Sequence, residues 1–229
     1  MKQEQIVGIL GGMGPEATVE LMRRIVARTP AACDNDHIHC VVDQNSKVPN
    51  RVEAIQGKIP SAGPVLAEMA RRLEAYGADM LCMPCNTAHY YLDDIRAASS
   101  LPFVDMLECT ALRVRERFPA ARTAGVLCTM GTRMTGLYEQ RLSVHGIQAV
   151  YPAPADQEAV TAVIAAVKAG DTGPKVRDDF RRVIDGMTAD GVPVMIAACT
   201  ELSVICPDLP HVVDALDALV DAVIQKARG

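Results

Sequence analysis

Two cysteines occupy matching places in an internal repeat of this 229-residue sequence. Residues 8–14 align without gaps on residues 125–131, and four of the seven positions are identical. Cys85 lies 71 residues after the first segment and Cys199 lies 68 residues after the second; each follows an apolar run and precedes a polar pair. Two thiols that face one substrate could serve as acid and base on opposite sides of a carbon atom.

The predicted surroundings of both cysteines favour this chemistry. Each lies where a strand passes into a helix, and the backbone N–H groups and positive helix end at such a turn stabilise an anion. The pKa of cysteine, about 8.5 in a reference peptide, falls at such positions toward neutral pH. We therefore expect Cys85 and Cys199 to be the catalytic acid and base, and most of the other six cysteines to be buried thiols.

The elements that must position these cysteines alternate in type along the chain. Short apolar runs typical of strands are followed by amphipathic runs typical of helices, which indicates parallel sheets covered by helices. Strands are expected at residues 5–10, 37–42, 80–83, 103–106, 123–128, 194–197 and 211–214. Helices are expected at residues 18–29, 63–76, 90–98, 109–117, 134–145, 157–169, 175–188 and 215–228.

The repeat and the alternation together predict two similar halves. Two short strands that end in aspartate, at Asp105 and Asp214, extend the repeat beyond the cysteines. We expect an α/β fold with two pseudo-symmetric three-layer α/β domains, mainly parallel sheets and an active-site cleft between the domains. The first domain is expected to contain residues 1–110 and the C-terminal helix at 210–229, and the second domain residues 111–209.

Composition and charge argue against several classes of partner. The net charge is −5 and no run of like charges occurs, so neither nucleic acid nor a membrane surface is expected as a partner. No apolar run reaches the length of a membrane span, and the first residues lack the features of a signal peptide. Eight cysteines without such a peptide indicate free thiols in a reducing cytosol, so we expect a cytoplasmic protein.

The motifs around the two cysteines resemble those of a known superfamily. The sequences MPCNTAH at residues 83–89 and ACTEL at residues 198–202 look like the paired cysteine motifs of the aspartate/glutamate racemase superfamily. The likeness includes GILGGMGPEAT at residues 8–18, VPNR at residues 48–51 and TMGT at residues 129–132. These motifs follow the order typical of the aspartate racemase branch, and the resemblance covers the whole chain.

The resemblance implies a reaction and a set of substrate contacts. It implies a homodimeric amino-acid racemase, without pyridoxal phosphate or metal, that acts on a small dicarboxylic amino acid. Arg51 is expected to hold the side-chain carboxylate, for which a bidentate guanidinium is suited. Lys168 resembles a second carboxylate-binding residue, contributed by the other half. The remaining substrate-binding residues are expected to be Met13, Asn86, Thr87, Thr129, Thr200 and Glu201.

Two departures from the family pattern bear on substrate choice. The loop that commonly reads Pro-Asp-Arg-Thr is Pro-Asn-Arg-Val at residues 49–52, and Ala198 stands where glycine often precedes the second cysteine. Glutamate racemases usually carry Asp-Ser in the first glycine loop and Cys-Thr-His at the second cysteine. This chain has Gly-Gly at residues 11–12 and Cys-Thr-Glu at residues 199–201, which favours aspartate, or activity on both amino acids.

Other interpretations use the same residues. Cys82 and Cys85 have the spacing of a redox dithiol or of half a zinc site, although no second ligand pair of that spacing follows. The glycine-rich residues 8–14 could cradle a phosphate but lack the dinucleotide spacing and a Walker lysine. A hydantoin racemase, a maleate isomerase or a decarboxylase of the same superfamily is a closer alternative, and a catalytically silent binding protein is another.

Four further residues are candidates for supporting roles. We hypothesise that Glu201, Asp105 and Asp214 position the cysteine turns. His89, one turn beyond Cys85, either orients the first cysteine or lies on a helix surface.

Overall fold

A computed structural model describes residues 5–229, which form two compact α/β units. Unit 1 contains the described residues up to Met106 together with Leu216–Gly229, and unit 2 contains Leu107–Ala215. Each unit has a four-stranded sheet in which the paired strands are parallel. This confirms the predicted α/β class with parallel sheets.

Unit 1 is built on strands β1 (Val7–Gly11), β2 (Cys40–Gln44), β3 (Met80–Cys82) and β4 (Phe103–Val104). Their order in the sheet is β2-β1-β3-β4. The helices of this part of the chain are α1 (Pro15–Arg28), α2 (Arg51–Ile55), α3 (Gly63–Tyr76), α4 (Leu92–Ala98) and α5 (Met106–Arg117), with short 3₁₀ helices at Asp34–Asp36 and Thr87–Tyr91. All but the first residue of α5 belongs to unit 2.

Unit 2 repeats this arrangement with strands β5 (Thr123–Leu127), β6 (Gln148–Val150), β7 (Met195–Ala197) and β8 (Val212–Asp214). Their order is β6-β5-β7-β8, which is the order of unit 1. The helices are α6 (Met130–Met134), α7 (Leu137–Val144), α8 (Pro154–Lys168), α9 (Pro174–Ala189) and α10 (Thr200–Ile205). The last helix, α11 (Ala215–Arg228), returns the chain to unit 1.

The repeated glycines lie in the central strands for a packing reason. Gly8 on β1 pairs with Leu81 on β3, and Gly125 on β5 pairs with Met195 on β7. A Cβ at Gly8 would lie 2.8 Å from the Leu81 side chain, and one at Gly125 would lie 2.4 Å from the Met195 sulfur. In both units, the glycine therefore makes room for a side chain of the strand that leads to the cysteine.

Each unit has its own apolar core, and each candidate cysteine belongs to one. Strands β1 and β7 are buried along their whole length, as expected for parallel strands with helices on both faces. Cys85 packs in the core of unit 1, to which α3 contributes Leu66 and Leu73. Cys199 packs in the core of unit 2 with side chains from α8 and α9. The core of each unit thus helps to hold its cysteine turn.

The helix starts show where sequence periodicity misleads. Helices α1, α8 and α9 begin at Pro15, Pro154 and Pro174, where the missing proline N–H leaves no hydrogen bond unmade. The predicted starts were one to three residues late because the apolar period begins only after the proline. Helix α3 ends as predicted, before Gly77, which has a φ of 108°.

The structure adds elements that the sequence did not predict and moves one boundary. Strand β6 was missed because it is a three-residue edge strand that is only partly buried. Helices α2 and α6 have five residues each, too few to show a helical period. Residues 107–110 and 210–215 were assigned to the first domain, but they belong to unit 2, where β8 pairs with β7.

Helices α1 and α11 are joined in unit 1 by an ion-pair cluster. Arg24 and Arg28 each approach Asp217 Oδ1 to 2.5 Å, and Arg24 also contacts Glu20 at 2.7 Å. The hydrogen bond from Arg23, with help from Arg24, lowers the pKa of Glu20 from 4.5 to about 2. Burial would raise the pKa of Asp217, but the hydrogen bond from Arg28 and the charge of Arg24 lower it.

We expect Asp217→Asn to destabilise the protein at neutral pH, because Arg24 is only 11% exposed and would lose a charged partner. The free energy of unfolding should fall by about 1–2 kcal/mol. This is less than for a fully buried charge, because Asp217 is 29% exposed and water screens the ion pair. A carboxyl group whose pKa is lower in the folded than in the unfolded protein stabilises the fold at pH values above its pKa in the unfolded protein. This stabilisation is lost as the pH falls through its pKa in the folded protein. The difference between wild type and variant in urea unfolding should therefore shrink as pH falls below about 4.

Asp221→Asn, at a more exposed partner of Arg28, is the matched control and should lower the free energy of unfolding by less. Equal losses in the two variants would contradict the prediction.

No helix within residues 5–229 is both long and apolar enough to cross a lipid bilayer.

Candidate active site

Cys85 lies three residues beyond β3, at the carboxyl edge of the unit 1 sheet. Its amide N–H donates to the Met83 carbonyl at 2.9 Å, and the chain continues through Asn86 into the 3₁₀ helix Thr87–Tyr91. Cys85, Asn86 and Thr87 are all buried. These three predicted residues therefore lie together in one turn that is almost entirely buried.

His89 connects this turn to the start of α5. Its Nδ1 lies 2.8 Å from the carbonyl oxygen of Cys85, and its Nε2 lies 3.2 Å from the backbone nitrogen of Met106. Because the Met106 N–H can only donate, Nε2 accepts, and Nδ1 carries the proton that is donated to Cys85. The ring is fully buried, with Asp105 Oδ1 3.8 Å from Nε2. His89 is thus a neutral imidazole that orients the backbone of Cys85, and it does not lie on a helix surface.

The first glycine turn, after β1, is closed by its own contacts. Gly12 has a φ of 92°, and a Cβ there would lie 2.3 Å from the backbone of Asn45. The Gly12 N–H donates to Thr18 Oγ1 at 2.9 Å, so this amide is already used. The Met13 side chain is 4% exposed and packs in the same core cluster as Cys85. A phosphate cradle at this turn would lack the Gly12 amide.

Arg51 begins α2, and its guanidinium folds back on the preceding loop. Nη1 donates to the carbonyls of Val48 at 3.0 Å and Pro49 at 2.8 Å. The Asn50 side chain caps the helix by accepting from Val52 N at 3.0 Å. Asparagine here therefore supplies the same capping oxygen as the aspartate common in the family. The two carbonyl bonds orient Arg51 through one nitrogen, while Nε and Nη2 carry the other three N–H donors of the group.

Cys199 lies two residues beyond β7, at the N-cap of α10, and is 6% exposed. Its thiol donates to Glu201 Oε2 at 2.9 Å. The other carboxylate oxygen of Glu201 lies 3.7 Å from Lys168 Nζ, at the end of α8. Three of the predicted site residues thus form one chain of contacts in unit 2. Thr200 is buried beside them as the first residue of α10.

A second pair of polar residues supports this turn, and one of them was missed by the sequence analysis. Ser203 donates to Asp214 Oδ1 at 2.5 Å, and both side chains are buried. Ser203 stands four residues after Cys199, as His89 stands four after Cys85, and Asp214 ends β8 as Asp105 follows β4. The shared offset was the sequence signal that could have identified Ser203. The hypothesis that Asp214 supports the turn agrees with this contact.

Thr129 caps α6, and its hydroxyl accepts from the Thr132 N–H at 3.2 Å. The neighbouring Cys128 is fully buried, and this burial raises the pKa of its thiol far above the ordinary range. Ala198 is also fully buried, and its N–H donates to the Leu127 carbonyl at 2.8 Å. The core thus accommodates alanine at the position where the family often has glycine.

The state of the cysteines bears on the alternative thiol and metal chemistries. All eight cysteines are free thiols. Of the six outside the candidate pair, Cys82 and Cys128 are buried and the other four are partly or fully exposed, so the prediction that most of the six are buried is wrong. In the described part of the chain, no group of three or more His, Cys, Asp or Glu side chains is arranged to hold a metal ion.

Comparison with known proteins agrees with this architecture. Residues 10–223 match the family described as Asp/Glu/Hydantoin racemase. A broad specificity amino-acid racemase, RacX from Bacillus subtilis (strain 168), is 26% identical over 217 residues, which is 93% of this chain and 92% of that protein.

Two solved structures superpose on nearly the whole chain. An aspartate racemase from Picrophilus torridus is 32% identical with a TM-score of 0.87, covering 98% of this chain and 94% of its own. An aspartate racemase homologue from Pyrococcus horikoshii OT3 shares the fold, with a TM-score of 0.79 at 21% identity and complete coverage of both chains. The chain therefore belongs to the Asp/Glu/hydantoin racemase family of isomerases.

Proposed function

We propose that this protein is a cofactor-independent racemase that interconverts L- and D-aspartate and also accepts glutamate. The observation that carries the proposal is the placement of Cys85 and Cys199. Each is a nearly buried thiol just beyond the third strand of a unit with the same strand order. Family membership and the likeness to the Picrophilus torridus aspartate racemase support the reaction and the preferred substrate.

Inversion at Cα requires removal of a proton from one face and delivery of a proton to the other. In the proposed two-base mechanism, one cysteine acts as thiolate base and the other as thiol acid, and the roles exchange in the reverse direction. Polar groups at Asn86, Thr87, Thr129 and Thr200 hold the α-carboxylate and stabilise the negative charge that develops on it. No group other than the two thiols has to supply or accept the proton.

Selectivity for a dicarboxylic amino acid is assigned to the two cations of the site. Arg51 is held in place by two backbone carbonyls and keeps a pair of nitrogens suited to a bidentate carboxylate contact. Lys168, at the half-exposed end of α8, supplies a second positive charge. A hydantoin substrate does not need to carry a side-chain carboxylate. A hydantoin racemase would therefore not explain why either cation is present.

A broad-specificity amino-acid racemase is the second candidate function. The observation that favours it is the 26% identity to RacX, over nearly the full length of both proteins. The two candidates share the cysteine chemistry and differ in whether a side-chain carboxylate is required.

A substrate panel tests both candidates. The enzyme is first treated with hydroxylamine and EDTA, so that activity does not depend on pyridoxal phosphate or a metal ion. Loss of the Cα proton signal is then followed by NMR in deuterated buffer for both enantiomers of aspartate, glutamate, alanine and lysine. We expect fast exchange for aspartate, slower exchange for glutamate and little for alanine or lysine. Comparable rates for all four amino acids would establish the broad-specificity alternative, and no exchange with any of them would refute the racemase proposal.

We also propose a cytoplasmic homodimer. The eight free thiols suit a reducing compartment. A twofold contact requires one face of the chain to meet itself, and α1 offers an apolar stripe for this purpose. Val19, Met22 and Val26 stand at helical spacing on α1, outside its buried face, and are 58%, 39% and 56% exposed.

The double substitution Met22→Glu/Val26→Glu should convert the dimer to a monomer, because charges on both sides of a twofold contact repel each other and lose water. Light scattering coupled to gel filtration gives the mass. Val144→Glu, at an apolar residue that is 76% exposed in unit 2, is the control and should remain dimeric. A monomeric wild type would refute the dimer, and a dimeric double variant would refute its assignment to α1.

A further inference from the structure

The two cysteines differ in the residue that stands two positions further along the chain. After Cys85 this residue is Thr87, a neutral hydroxyl, whereas after Cys199 it is Glu201, a carboxylate. Glu201 Oε2 lies 2.9 Å from the Cys199 sulfur, and both residues are 6% exposed. The two units, which are otherwise similar, therefore differ in the charge of the residue that follows each cysteine by two positions.

A carboxylate at this distance favours the protonated form of the thiol for two reasons. The S–H group donates a hydrogen bond to the carboxylate, and removal of its proton would leave two negative charges in contact. Both groups are nearly buried, so water screens their repulsion only weakly.

Lys168 moderates this effect from the other side of Glu201. Its Nζ is 3.7 Å from Glu201 Oε1, and its side chain is 51% exposed. Helix α10 packs on α8 and β7, and β7 contains no ionisable residue. On α8, Asp156 is paired with Arg182 and Glu158 is exposed, while Asp214 at the end of β8 accepts from Ser203. Of these groups, Glu201 is in direct contact with the thiol and Lys168 acts on it through Glu201.

We propose that Glu201 is a positioning residue that keeps Cys199 in the thiol form, so that in the free enzyme Cys199 is the acid and Cys85 is the base. The inference rests on the proposed racemase function for its catalytic meaning. It replaces the expectation that Glu201 binds the substrate directly.

The proton balance of one turnover follows from this assignment. The Cys85 thiolate removes the Cα proton of the enantiomer whose Cα–H bond points toward Cys85. The Cys199 thiol delivers its own proton to the opposite face of Cα. The product leaves Cys85 as a thiol and Cys199 as a thiolate beside Glu201. Loss of one proton to solvent by Cys85 and uptake of one by Cys199 restore the resting form, and the net proton count does not change.

The protonation order can be measured without substrate. The full-length protein is alkylated with iodoacetamide over a range of pH, and tandem mass spectrometry gives a separate rate for each cysteine. In wild type we expect the Cys199 rate to rise at higher pH than the Cys85 rate. Glu201→Gln, which keeps the shape and an acceptor oxygen, should move the Cys199 midpoint down by about 1–3 pH units and leave Cys85 unchanged. Lys168→Met should move the Cys199 midpoint up.

The opposite signs of these two shifts exclude a purely structural effect of either substitution. Glu158→Gln, the same chemical change at an exposed residue of α8, is the control and should shift neither cysteine. A Cys199 midpoint that stays or rises in Glu201→Gln, or a wild type in which Cys85 is deprotonated last, would overturn the proposal. If Glu201→Gln does not fold, the sign of the Lys168→Met shift decides. Failure of the racemase function would appear in the substrate panel and would leave these alkylation profiles unaffected.

Discussion

Replacement of either Cys85 or Cys199 by serine should lower the rate of aspartate racemisation by about 10²–10⁴-fold, the usual contribution of a general acid or base. A serine hydroxyl of similar size is a much weaker acid than a thiol, so near neutral pH it neither ionises to act as the base nor readily releases its proton as the acid. Both side chains are nearly buried in the core of their unit, and the change of one atom leaves the packing intact. Polarimetry measures inversion, and NMR in deuterated buffer measures exchange.

The two serine variants should differ in which enantiomer still exchanges its Cα proton. With one cysteine left, a substrate can lose a proton to that cysteine and regain deuterium from it on the same face, which is exchange with retention. The variant that exchanges only L-aspartate therefore keeps the cysteine on the L side. Cys33→Ser, at an exposed cysteine, is the control and should retain full activity. Inversion at the wild-type rate in either site variant would refute the two-base mechanism.

Replacement of Arg51 by methionine should lower kcat/KM for aspartate by about 10- to 150-fold, since a hydrogen bond to a charged group contributes about 1.5–3 kcal/mol. The backbone carbonyls of Val48 and Pro49 hold the guanidinium before substrate arrives, so little ordering is needed on binding. Arg51→Lys should recover only part of the loss, because an ammonium cannot form the bidentate contact. Initial rates with L- and D-aspartate measure both effects.

The selectivity of the Arg51 effect separates substrate recognition from damage to the fold. Any slow racemisation of alanine, which lacks a side-chain carboxylate, should change much less than that of aspartate. Arg71→Met, which removes a half-exposed cation of α3, is the matched control and should leave both rates unchanged. An equal fall for aspartate and alanine would show that Arg51 does not select the substrate carboxylate.

The repeated motif and the alternation of elements were sufficient to predict most of the fold. Both depend on local properties of the chain: apolar strands, amphipathic helices, and glycines that the central strands require at Gly8 and Gly125. Short or exposed elements carry too little periodicity to be recognised. This is why β6 was missed, and why β8 was assigned to the wrong domain although its strand was predicted. Which sheet a short strand joins is decided by its partners in space.

Spacing and residue type were sufficient to predict the pair of cysteines, the polar residues that follow them and the family of the chain, because these properties can be read without coordinates. The contacts of the supporting residues, by contrast, become visible only in the folded protein. Contacts such as His89 with the Cys85 carbonyl, Ser203 with Asp214 and Glu201 with the Cys199 sulfur depend on side-chain direction and burial. A carboxylate near a thiol can bind substrate or hold a proton in place, and the proposal that Glu201 does the latter depends on its 2.9 Å distance from the Cys199 sulfur, which the sequence does not contain.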